Sequence, residues 1–172
     1  MDNLDEIKIL QKRAGIIVNE GVNDNILYHF TTLNNLISIL RKYTLIPSKN
    51  GYVSLTRNPK TKWMDYNIDS LAKFTLDKNI LKNRYKIEPY ADIKNNDKYI
   101  SYSKDSEYYQ SEERIKGDVY IKDALISITI PSKTNWIKDF GWEFEDEDVT
   151  AEEYYDDMLS FLRDNNIKYN VN

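Results

Sequence analysis

Apolar positions recur along this chain at two periods, and the switches between them mark out the elements. Leu4, Ile7, Leu10, Ala14 and Ile17 fall at helical spacing, which predicts a helix over 4–17. The turn-forming run Asn19-Glu20-Gly21-Val22-Asn23-Asp24 ends it. Asn25 to Phe30 alternates and contains isoleucine, tyrosine and phenylalanine, the pattern of a strand. Thr31 or Thr32 then stands ready to cap a helix whose Leu33, Leu36, Ile37 and Leu40 form one apolar stripe, ending near Tyr43. A second strand, Tyr52 to Arg57, puts Val53, Leu55 and Arg57 on one face. Asn58-Pro59 stops it, because proline lacks a backbone donor and disfavours helix in the residue before it.

Ala72, Phe74 and Leu76 alternate in a third strand, and the polar residues 92–111 read as a long surface loop. Short strands are expected at Glu113–Ile115 and around Val119 and Ile121, on either side of Gly117-Asp118. Leu125 to Ile130 has the clearest alternation, with Ile126, Ile128 and Ile130 inward and Ser127 and Thr129 outward; Pro131 ends it. Thr150-Ala151-Glu152-Glu153 is a capping box for a helix through Tyr154, Met158, Phe161 and Leu162. Ile167 to Val171 closes the pattern as an edge strand. The class is α+β, without βαβ alternation, internal repeat or glycine-rich phosphate loop.

The length of 172 residues fits one domain spanning 1–172, and chains near ~150 residues bury roughly two-thirds of their unfolded surface. With no cysteine, disulfides, thiolate nucleophiles and cysteine zinc sites are excluded; a single histidine excludes two-histidine metal sites. Glu143-Phe144-Glu145-Asp146-Glu147-Asp148 lacks the geometry of a calcium loop, so no metal is expected. No apolar run reaches the ~18 residues of a membrane span, and the first residues are acidic where a secretory signal would be basic. A cytoplasmic protein without membrane contact is the expectation.

The net charge of −4 conceals an asymmetry. Residues 41–104 hold 14 Lys/Arg against 6 Asp/Glu, a net of +8; residues 139–172 hold 2 against 11, a net of −9. The middle segment is suited to a phosphate-bearing ligand, and the acidic helical segment 139–172 to a basic partner. Charge runs of this kind are more often solvated faces whose fields partly cancel.

Against this background three polar positions stand in apolar frames. His29, the sole histidine, sits in Leu27-Tyr28-His29-Phe30-Thr31, at a joint between strand and helix. Arg57 closes the second strand, and Glu112-Glu113 opens the β-rich stretch that ends at Ile130. Adjacent residues in a strand face opposite ways, so only one of the two glutamates shares a site with the others.

Leu27-Tyr28-His29-Phe30-Thr31, followed by Asn34-Asn35-Leu36-Ile37-Ser38-Ile39-Leu40, resembles the opening motif of the DarT-like group of ADP-ribosyltransferases. Tyr52-Val53-Ser54-Leu55-Thr56-Arg57-Asn58-Pro59 is similar to that group's second motif, a strand ending in arginine with proline close behind. Glu113-Arg114-Ile115, with the Ile126–Ile130 strand downstream, is similar to the third, in which the catalytic glutamate opens a strand. The likeness covers roughly residues 25–131. It implies a split pair of antiparallel sheets with flanking helices, holding NAD as co-substrate between them, and no metal. It also implies catalytic roles for Glu113 and Arg57, with Glu112 the alternative because Gln110-Ser111-Glu112 has the Gln-x-Glu form of some protein-modifying relatives. Tyr28, His29, Phe30, Thr31, Asn35, Leu36, Ser54, Thr56 and Arg57 would bind NAD, His29 through a ribose hydroxyl.

The activity so implied is transfer of ADP-ribose to a nucleic-acid base or a host protein with release of nicotinamide, as in a toxin or phage effector. The alternatives are a non-catalytic relative that binds NAD or a nucleotide, and an acidic interaction or inhibitor protein.

Overall fold

The computed structural model describes residues 25–59, 67–89, 112–145 and 148–172. The expected helix over 4–17 and the loop over 92–111 lie outside the described residues. Strand β1 (Ile26–Thr31) leads into helix α1 (Leu33–Lys42), then β2 (Thr44–Leu45) and β3 (Tyr52–Thr56). After a 3-10 turn at Ile68–Ser70 come β4 (Ala72–Asp77), the short α2 (Lys78–Lys82) and β5 (Ile87–Pro89). The remainder comprises β6 (Glu112–Lys116), β7 (Val119–Tyr120), β8 (Leu125–Ile130), α3 (Lys133–Phe140), a 3-10 turn at Gly141–Phe144, α4 (Ala151–Asp164) and β9 (Tyr169–Val171).

Among the described residues seven strands form one sheet in the order β5-β6-β3-β1-β4-β8-β9, antiparallel except for the β8–β9 pair, and β2 with β7 forms a second, two-stranded sheet. The α+β class with two antiparallel sheets and flanking helices therefore holds, divided unequally. β6 and β7, adjacent in sequence, do not pair with each other: β6 joins β3 and β7 joins β2. Gly117 lies between them at φ +81°, a left-handed conformation that lets the chain leave one sheet for the other, and its N–H donates to the carbonyl of Gly51 at 2.9 Å.

One face of the large sheet supplies much of the core. Leu27, Val53, Leu55, Ala72, Phe74, Leu76, Ile115, Ile128 and Ile130 are buried, together with Leu33, Leu36 and Leu40 of α1 and Trp136 of α3. Alternation places these strand residues on the same side, since directly paired residues share a face. Ile126 departs from the expected pattern. It is 54% exposed rather than inward, because a register shift opposite Thr75/Leu76 pairs Leu76 with Leu125 and passes over Ile126.

Segment 139–172 is built into the fold. Its helix α4 opens with the complete Thr150/Glu153 capping box and buries Tyr155, Met158 and Leu162, and β9 lies parallel to β8 as an edge strand. α1 is held differently: Thr32 takes the N-cap position, but its hydroxyl makes no capping bond, and burial of Leu33, Leu36, Ile39 and Leu40 secures the helix. Among the described residues no helix is long and apolar enough to cross a membrane.

Candidate functional site

Sheet register decides which polar residues can meet. Tyr28 pairs with Thr56 across β1 and β3, Leu55 with Glu113 across β3 and β6, and His29 with Phe74 across β1 and β4. Phe74, His29, Leu55 and Glu113 thus make one row across four strands on the core side, and Arg57 lies two residues beyond Leu55 on the same side. The backbones of His29 and Glu113 stand two interstrand spacings apart, about 10 Å. Glu112 is in register with Thr56, one position removed from that row.

Glu113 is 7% exposed, and among the described residues its carboxylate receives two cations. Arg57 Nε lies 3.0 Å from Oε1, and Lys78 Nζ donates to the same oxygen at 2.6 Å. Burying a carboxylate this far from water is costly unless such partners offset the lost hydration. The two cations differ in access. The Arg57 side chain is 30% exposed, that of Lys78 only 10%. Arg57 is therefore the more accessible of the two, whereas Lys78 is an interior counterion.

Local structure explains the placement of each. Thr56 Oγ1 accepts from the N–H of Asn58 at 3.0 Å, turning the chain just past β3 where Arg57 projects. Lys78 is the first residue of α2, whose N-cap Asp77 accepts from the N–H groups of Asn79 and Ile80. The Lys78 N–H donates to the carbonyl of Asn25 at 2.9 Å, tying α2 to the start of β1.

His29 is half-buried, and its Nδ1 lies 3.0 Å from the carbonyl oxygen of Ser54. A carbonyl only accepts, so Nδ1 carries the proton and Nε2 of the neutral ring is an acceptor. Burial pushes the imidazole below its usual range, and the Ser54 bond opposes this to a lesser degree. The ring is neutral at physiological pH, with Nε2 ready to accept from a hydroxyl.

The other expected ligand residues divide. Thr31 shares the His29 side of β1 by alternation, and Asn35 is exposed on α1. Leu36 is fully buried and serves the core. Tyr28, Phe30, Ser54 and Thr56 fall on the opposite side of the sheet, where Lys73 Nζ lies 5.6 Å from the Tyr28 ring centroid and Arg114 lies 4.3 Å from that of Tyr52. Ser54 reaches the site through its carbonyl.

Lys78 escaped the reading of the sequence. It stands in Leu76-Asp77-Lys78-Asn79-Ile80, which reads as an ordinary solvated lysine, and its partner is 35 positions away. An open hollow of about 450 Å³ lined by residues including Ile137, Trp142, Phe144 and Ala151 shares no residue with this cluster. Among the described residues no three His, Cys, Asp or Glu side chains gather as metal ligands would.

No protein-family model and no curated protein matches the chain. Among solved structures, DarT from Thermus sp. 2.9, determined in complex with NAD+, is similar with a TM-score of 0.52 at 11% sequence identity. The similarity covers 86% of this chain and 95% of that one, and it establishes a shared fold.

Proposed function

We propose that the chain is an NAD-dependent mono-ADP-ribosyltransferase. The observation that carries this reading is the convergence of Arg57 on Glu113, with His29 in the same row of a fold shared with a structure solved with NAD+. Arginine offers a rigid fork of donors suited to a pyrophosphate, and Arg57, less enclosed than Lys78, is the cation such a ligand can reach. The neutral His29 ring accepts from a ribose hydroxyl through Nε2.

The reaction breaks the bond between the ribose C1′ and the nicotinamide nitrogen, whose electron pair leaves with nicotinamide. Positive charge then develops on the ribose, as in glycoside hydrolysis. A fixed carboxylate favours that state over the neutral ribose, and this difference lowers the barrier. The acceptor's lone pair forms the new bond at C1′, and Glu113 takes the proton the acceptor sheds. A nucleic-acid base or a protein side chain can serve as acceptor.

Incubating the protein with NAD and measuring free nicotinamide tests this. Glu113→Gln keeps an oxygen for Arg57 and Lys78 but loses the charge; release is expected to fall on the order of a hundredfold or more, with folding retained. Wild-type release by Glu113→Gln would remove Glu113 from catalysis. A protein that NAD stabilises against heat but that liberates no nicotinamide would be a binding relative.

A further inference from the structure

We infer that Lys78 is a positioning residue of the active site, the resident counterion that holds the Glu113 carboxylate in place while Arg57 engages the substrate. The inference rests on the transferase reading above and deepens it.

Three observations carry it. The Lys78–Glu113 contact is the shorter of the two, 2.6 Å against 3.0 Å for Arg57. Lys78 is also the more enclosed cation, with a side chain 10% exposed against 30%. Its backbone is fixed on both sides: its own N–H donates to the Asn25 carbonyl at 2.9 Å, and the N–H of the preceding Asp77 donates to the Ala124 carbonyl at 2.8 Å. Asp77, the nearest acid in sequence, is occupied in capping α2 and leaves Lys78 to Glu113.

The chemistry assigns the two cations different work. An incoming pyrophosphate competes with Glu113 for positive charge, and Arg57, the less enclosed of the two cations, is the one it can reach. If Arg57 were the sole partner, its departure would leave a buried carboxylate with no counterion, a costly arrangement that frees the side chain to move away from the developing ribose cation. Lys78 prevents this by remaining. Among the described residues both cations contact Oε1 of Glu113.

The test compares Lys78→Met, Lys78→Gln and Lys78→Arg with the wild type, following nicotinamide release across NAD concentration alongside thermal unfolding. Lys78→Met is expected to lose on the order of a hundredfold in kcat, the cost of a displaced catalytic group, with KM for NAD within about threefold, because Lys78 does not touch NAD. Lys78→Arg, which keeps the charge, is expected to recover most of the loss. Unchanged kcat in folded Lys78→Met, or a loss confined to KM, overturns the assignment, as does failure of arginine to recover more activity than glutamine. Should Lys78→Met not fold, Lys78→Gln is the neutral variant to measure; if neither folds, Lys78 is a structural ion and the assignment falls. A wild type inert to NAD overturns the transferase reading and this inference with it, whereas turnover by the wild type matched by the neutral variants overturns this inference alone.

Discussion

His29 makes the site's electrostatics directly measurable, because one histidine in 172 residues gives one imidazole signal. Burial lowers its proton affinity in the fold below the value of 6.5 for the free side chain. The unfolded chain therefore takes up a proton near pH 6.5 while the folded chain does not. Stability is present in full above that pH and is lost as pH falls from about 6.5 toward the folded value. His29→Gln is expected to abolish this part of the pH dependence of the unfolding midpoint. A wild-type imidazole titrating at or above 6.5 in the folded protein would contradict it. What could be read from sequence at this scale was residue type and frame: His29 and Arg57 stood out because their neighbours are apolar. Lys78 did not, because its role arises from a contact between β6 and the start of α2 that no local pattern encodes.

At the scale of elements, the N-termini of α4 and α1 make a contrasting pair. In α4 the Thr150 hydroxyl accepts from the Glu153 N–H at 3.2 Å, and the Glu153 carboxylate accepts from the Thr150 N–H at 2.9 Å. Thr150→Ala is expected to cost about 1 kcal/mol in denaturant unfolding. Thr32 makes no such bond, so Thr32→Ala is expected to cost only a few tenths of that. Equal losses would refute the contrast. The capping box was legible because its signal is complete within four residues. α3 was missed, although Ser132 caps it by accepting from the Asn135 N–H, because Trp136 and Phe140 form too short a stripe to be distinguished from loop. The inward Ile126 was misread because a register shift depends on the neighbouring strand, and strict alternation gives no hint of it. The partners of β6 and β7 were hidden for the same reason.

For the molecule as a whole, the charge asymmetry changes meaning once the fold is known. The acidic segment 139–172 includes a helix with four buried core residues, Ala151, Tyr155, Met158 and Leu162, and its β9 covers the edge of β8. Deleting it is expected to abolish cooperative unfolding by circular dichroism, rather than to detach a docking tail. A truncated protein with an unaltered transition would show otherwise. NAD, binding the folded state alone, is expected to raise the melting temperature, worth about 2.7 kcal/mol at a hundredfold excess over Kd. No shift at saturating NAD would remove both the transferase and the binding readings.

The meeting of two cations on one carboxylate, beside an uncharged imidazole, leaves those four side chains with a surplus of one positive charge. NAD at neutral pH, with two phosphate charges and one on its pyridinium ring, carries a surplus of one negative charge. The dinucleotide thus cancels the charge of this group, and its capture should respond only gently to added electrolyte. A reduced dinucleotide, lacking the pyridinium charge, would overshoot neutrality and depend more steeply on ionic strength.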